Sequence, residues 1–328
     1  MKASDVIIAI GILAVLVVII FPPTTFLMDF LIIINISICI IILLFSLYVK
    51  DPIDFSVFPT ILLFITVFRL ALNLASTRLI LGNEGNAGQI IKTFGEVVIG
   101  GNLAVGIVAF LIILIVQFMV ITKGAERVAE VCARFTLDAM PGKQMAIDAD
   151  LNSGLIDEDM ARERREKIQH EADFHGAMDG ASKFIKGDAI AGLLVTFINA
   201  IGGIIIGMLT MEGYTIGEIL EIFTIATIGD GLITQIPALL VSTASGIIIT
   251  RSGRDATFGS EMARQIASQP HAIIMGGVLL VIVSLVPGLP TIPMWIVAAA
   301  LMIIGYTINS RRQKAAVVEV HEEEDVAA

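Results

Sequence analysis

Charged residues are scarce in this chain, at 16% of 328 residues, while apolar residues reach 56%; an average globular domain has about 25% and 45–50% respectively. With a mean hydropathy of +0.90, that balance argues against a soluble domain. Cysteine is nearly absent. Cys39 lies in an apolar run and Cys132 in a polar one, which forms neither a disulfide framework nor a paired metal motif. Histidine is rare too, and the close pair His170 and His175 is spaced by five. A zincin helix needs a spacing of four to bring both rings to one face. Asp148, Asp150 and Asn152 imitate the start of a calcium loop, but Ser153 stands where glycine is required and Asp159 where the bidentate glutamate belongs. No GxxxxGK[ST] phosphate loop is present, which argues against an ATPase. No basic stripe with interleaved aromatics occurs either, so nucleic acid is not an expected partner. Neither a cofactor nor a metal is expected.

What the chain has in quantity is apolar runs of bilayer length. Eight spans are predicted, at about 5–21, 26–48, 57–81, 103–122, 188–210, 228–250, 272–288 and 292–309. The fold class that follows is an all-α polytopic membrane protein in the lipid bilayer, with a small cytosolic helical insertion. Residues 1–122 hold the first four transmembrane helices, 123–187 the helical subdomain, 188–310 the last four helices and 311–328 an acidic tail. The opening MKASDVIIAIG lacks a small-residue cleavage site and reads as a retained span. With the N-terminus inside, every Lys and Arg falls on the cytoplasmic side except Lys92, Arg69 and Arg78, as the positive-inside rule requires. Both termini are then cytoplasmic.

Local punctuation sets further expectations. The short turns at Pro22-Pro23 and from Pro287 to Pro293 imply that their flanking helices are antiparallel neighbours. Residues 82–102 read as a long outer loop, and Asp-Gly-Ala-Ser-Lys-Phe at 179–184 as a turn. The stretch 216–250 is too long for one simple span, so a break is expected at Gly229-Asp230-Gly231, after an interfacial helix carrying Glu218 and Glu221. Gly203 and Gly207 form a GxxxG step, and 242–246 is also rich in small residues. Both suit close helix packing, within one subunit or between subunits.

The residues able to carry chemistry are the charges inside apolar runs. Arg69 falls in mid-span, where an arginine costs about 2.5–3.5 kcal/mol even on mild insertion scales, so it needs a partner or water. It fits either a static ion pair or an ion pathway. Asn73 and Ser76 share its helical face, whereas Arg78 lies about 180° away and can either snorkel to the interface or join a separate contact. Asp188 opens the fifth predicted span beside Lys183 and Lys186. It suits a helix N-cap, and it equally suits a carboxylate that exchanges protons with the cytoplasm. Asp230, between two glycines, carries the same two readings.

Four stretches together point further: FRLALNLASTRLIL at 68–81, ITKGAERVAEVCARFTLDAMPGKQMAIDADLNSGLI at 121–156, GASKFIKGDAIAG at 180–192 and GDGLITQIPALL at 229–240. They resemble the FHIPEP family of export-gate proteins, found in flagellar and virulence type III secretion systems. That resemblance implies a homo-oligomeric ring of nine subunits in the bacterial inner membrane. The ring would work with other export-gate membrane proteins, using the proton motive force to drive unfolded substrates outward without covalent catalysis. It implies that Arg69 and Arg78, with Asn73, belong to an intramembrane charged network, and that Asp188, Lys183 and Asp230 serve proton or ion coupling. Family members continue into a large cytosolic C-terminal domain, so the chain is expected to be the membrane portion of a longer protein. The competing readings are a self-contained ion or solute transporter and a purely structural anchor for a secretion ring.

Overall fold

The structure is a computed structural model that describes the backbone of residues 3–251, 257–286 and 290–327, and the side chains of 6, 9–119, 122–251, 257–286 and 290–310. Lys2, Arg254, the start of the turn at Pro287 and the side chains of the acidic tail lie outside the described residues. The described residues contain no strand.

The first unit, residues 1–255, is built on α1 (Ala3–Ile20), α2 (Thr25–Tyr48), α3 (Phe58–Gly82), α4 (Gln89–Ile99), α5 (Leu103–Val116), α6 (Lys123–Asn152), α7 (Glu158–Thr210) and α8 (Ile216–Ile249). Helices α2, α3, α7 and α8 pack around a common core. In their most apolar stretches α3 is 61% buried and α8 50%, against 28% for α2 and 11% for α7, so α3 and α8 are the central pair. The apolar side chains left exposed on α1, α2 and α5 suit lipid. The second unit, 256–328, holds α9 (Phe258–Ala267), α10 (Pro270–Val283) and α11 (Thr291–Ala327). Helices α10 and α11 pair antiparallel, as expected. Gly277 faces Ala298 and Met302, Gly305 faces Ile274 and Pro270, and Trp295 Nε1 donates to Ser284 Oγ at 2.8 Å.

Among the described residues each of the eight expected spans falls largely on helix. Among the described residues six helices are long and apolar enough to cross a membrane, or seven if α9 and α10, bent by 73°, make one broken span. The apolar part of α1 is shorter.

Five local expectations fail, each for a physical reason. Helix α1 packs along α3 rather than α2, because Gly11 admits the Phe64 ring and Arg78 Nη1 donates to the Ile20 carbonyl at 2.9 Å. Residues 82–102 are not simply a loop. Ile91, Gly95 and Ile99, four residues apart, form the buried face of α4, and Asp29 fixes that helix by accepting from the Gln89 and Ile90 N–H groups at 2.9 and 3.1 Å. No turn interrupts 179–184, and no helix begins at Asp188. Helix α7 starts at the Asp157 N-cap, whose carboxylate accepts from Met160 N at 2.7 Å, and runs unbroken for 53 residues. Its first half is rich in Ala, Glu, Lys and Arg, all good helix formers. Roughly 80 Å of helix results, far more than the membrane needs.

The break at Gly229-Asp230-Gly231 is also absent. Helix α8 starts with a capping box at Thr215 and Glu218 and continues through 34 residues. Its glycines serve packing rather than unwinding: a methyl on Gly229 would overlap the Ile91 carbonyl oxygen of α4, and one on Gly231 would strike the Phe110 ring. The GxxxG step is filled from within the same chain, since Phe223 lies over both Gly203 and Gly207.

Candidate functional site

Three helices bring the intramembrane charges together. Arg69 on α3 is 5% exposed and Asp188 on α7 is 3% exposed. Arg69 Nη1 lies 2.9 Å from Asp188 Oδ2, and Arg69 Nη2 donates to the Thr234 carbonyl of α8 at 3.0 Å. The ion pair is a close approach rather than an aligned hydrogen bond: both carboxylate oxygens of Asp188 and Arg69 Nε lack a directed partner. Buried charges are tolerated only when compensated, so each of these two residues accounts for the presence of the other. Asp188 is therefore an interior counter-ion and not a helix cap.

Asp230 lies one helical turn before Thr234 on α8. It is buried, accepts from Asn199 Nδ2 at 3.0 Å and has the Ser76 hydroxyl within reach. No cation pairs with it among the described residues. Asn73, buried between Arg69 and Ser76 on one face of α3, leaves its Oδ1 without a donor.

Two cavities flank this constellation. One, of about 40 Å³, is bordered by Arg69, Asn73, Asp188, Gln117 and Thr234. The other, of about 20 Å³, is bordered by Arg69, Asn73, Ser76, Asp230 and Thr234. Both place a few polar groups on largely apolar walls and are large enough for water, which needs about 10–15 Å³ per molecule. Arg69 and Asn73 therefore stand between a space that holds Asp188 and a space that holds Asp230.

Of the residues singled out in the sequence, Arg69, Asn73, Asp188 and Asp230 converge. Arg78 and Lys183 do not. Arg78 is exposed at the end of α1, and Lys183 is exposed and pairs with Asp179 at 2.6 Å. Asp148 and Asp150 are engaged by Arg165 and Arg164. No group of three or more His, Cys, Asp or Glu that could hold a metal ion occurs among the described residues. The sequence reading missed Asn199, Thr234 and Gln117. Asn199 and Gln117 are polar residues inside apolar runs, a signal that was available. Gln117 begins a π-helical turn, Gln117–Thr122, and donates to the Gln235 carbonyl at 3.2 Å. Turns of this kind recur at functional sites.

The fold and the site define a polytopic α-helical membrane protein whose central helices enclose an arginine between two carboxylates. The chain belongs to the FHIPEP family, whose model matches residues 15–328. It is 49% identical to the low calcium response locus protein D of Yersinia pestis over 315 residues, covering 95% of this chain and 44% of that protein. It is also 49% identical to the flagellar biosynthesis protein FlhA of Salmonella typhimurium over 308 residues, 93% of this chain and 44% of the relative. Against FlhA of Bacillus subtilis it is 48% identical over 321 residues, 98% and 47% respectively. The chain thus spans less than half the length of these relatives. No solved structure matches it.

Proposed function

We propose that this chain is a membrane component of a flagellar or type III protein export gate that couples the proton motive force to the translocation of unfolded substrates. The observation that carries the reading is the buried Arg69–Asp188 pair beside water-sized cavities, in a chain whose relatives include flagellar biosynthesis proteins. A carboxylate held by one arginine beside a space that admits water can lose and regain its charge without unfolding its surroundings, the property expected of an intramembrane proton site. In this reading Asp188 exchanges the proton, Arg69 compensates it, and Asp230 is the second carboxylate of the path. The chain performs no covalent chemistry and works as a homo-oligomeric ring of nine with other gate proteins. It lies in the bacterial inner membrane with both termini cytoplasmic.

The test is secretion by cells whose only copy carries a substitution at Asp188. Asp188→Asn keeps a polar group against Arg69 but cannot exchange a proton, so protein levels should hold while secretion falls at least tenfold. Asp188→Glu, which retains a carboxylate, should keep part of the activity. Near-normal secretion from the Asn variant would reduce Asp188 to a structural partner. In proteoliposomes the gate reading expects proton flux independent of any small solute. Flux that requires a solute would favour a self-contained transporter.

The orientation has its own test. Residues 123–187 carry many of the basic side chains and belong in the cytoplasm. A single cysteine at Ser153, exposed at the end of α6, should resist an impermeant thiol reagent in intact cells and react once they are opened. Labelling in intact cells would reverse the topology.

A further inference from the structure

We propose that Arg69 is a two-position counter-ion: when Asp188 takes up a proton, the guanidinium leaves it for Asp230, which gives up a proton on its arrival. The proposal rests on the reading of Asp188 as a proton-exchanging group. It adds a moving part that links the two carboxylates and assigns Asn199 as the residue that holds Asp230 ready.

The geometry gives the reasons. Arg69 borders both cavities, with Asp188 on one and Asp230 on the other. Its Nη2 already rests on the Thr234 carbonyl of α8, and Asp230 is four residues earlier on the same helix. That separation is about 6 Å along the axis, a distance a long arginine side chain covers by changing rotamers. The guanidinium is held at its two Nη ends, by the charge of Asp188 and by the Thr234 carbonyl, while Nε has no partner and the approach to Asp188 is not an aligned hydrogen bond, so loss of the Asp188 charge removes its main anchor. At the other end Asp230 accepts from the neutral Asn199 Nδ2, and the Ser76 hydroxyl, which donates to the Asn73 carbonyl at 3.0 Å, lies close by. Asn199 is fully buried and fixes the carboxyl by its Oδ2.

Among the described residues no competing cation borders either cavity, and of the charged side chains only Arg69, Asp188 and Asp230 do so. Cys39 of α2 is a further titratable group facing Arg69. On α7, Lys183 is engaged by Asp179 and Lys186 by Glu126 at 2.9 Å. The exchange conserves charge: one proton is bound at Asp188, one is released from Asp230, and the arginine stays ion-paired in both positions. Thr234 serves as the intermediate rest, a carbonyl available to the guanidinium throughout.

The experiment is solid-state NMR of the full chain in lipid bilayers, with nitrogen-labelled arginine and carbon-labelled aspartate, reading contacts between guanidinium nitrogens and carboxyl carbons. In the wild type Arg69 should contact Asp188 and not Asp230. In Asp188→Asn the contact should appear at Asp230, and it should vanish when Asp230→Asn is added, which assigns it. In Asp188→Glu, with labelled glutamate, Arg69 should stay on residue 188. An arginine that remains off Asp230 in the Asp188→Asn variant overturns the exchange. So does failure of that variant to fold, because the proposal gives Arg69 a second partner. An unmoved arginine with lost secretion would sink the exchange and leave the coupling role of Asp188 intact. A moved arginine with normal secretion would do the opposite.

Discussion

Arg69→Ala is expected to lower the stability of the protein by about 3–5 kcal/mol, the range measured when one partner of a buried ion pair is removed. The truncation leaves the Asp188 carboxylate in a space where no other described residue carries positive charge and frees the Thr234 carbonyl of its side-chain donor. Arg69→Lys should recover part of that loss: it restores the charge, but a single ammonium cannot reach Asp188 and Thr234 in the way a planar fork does. The variant that separates structure from function is Arg69→Met with Asp188→Leu. Replacing a buried pair by apolar residues of similar volume is often neutral or stabilising, so thermal unfolding in detergent should return close to wild type while secretion stays abolished. If Arg69→Ala unfolds at the wild-type temperature, the pair is not the element that holds α3 against α7. If the apolar double variant secretes, the pair has no part in transport.

Gly229→Ala should also be destabilising, by about 1–3 kcal/mol, the usual cost of overfilling a tight contact. That runs against helix propensity, by which Gly→Ala in a helix interior gains up to about 1 kcal/mol. The sign reverses because the new methyl would overlap the Ile91 backbone oxygen, and a backbone atom cannot turn aside as a side chain can. Helix α4 must lift away from α8, and it lifts as a unit because Asp29 grips its first N–H groups. Amide hydrogen exchange should therefore rise throughout 89–99. Gly246→Ala on the same helix meets nothing within 4 Å and should be neutral or stabilising, as propensity alone requires. Equal stability of the two variants would show that α4 does not cross α8 at Gly229. Displacement of α4 would also loosen the packing beside Asp230, so secretion is a second readout of the same substitution.

Composition and short-range periodicity establish that this chain is helical and made for a membrane, and they mark its apolar runs. Those properties depend on composition and on periodicities a few residues long, which no distant contact can reverse. The sequence also shows that Arg69 needs a partner, since the cost of a charge in hydrocarbon does not depend on the fold. It could not say which partner. Asp188 is 119 positions away on another helix, and the spacing of a carboxylate beside a predicted helix start is equally that of an N-cap. Tertiary structure decided the matter by extending α7 back to Asp157, which removed any helix end for Asp188 to cap and turned its side chain toward α3. The same limit explains Gly229-Asp230-Gly231. Paired glycines signal either a backbone that breaks or a backbone that another must approach, and only the position of α4 and Phe110 against them distinguishes the two. Asn199 and Gln117 were readable as polar residues in apolar runs, but their roles depend on which carboxyl and which carbonyl the packing of α7, α8 and the Gln117 turn sets before them.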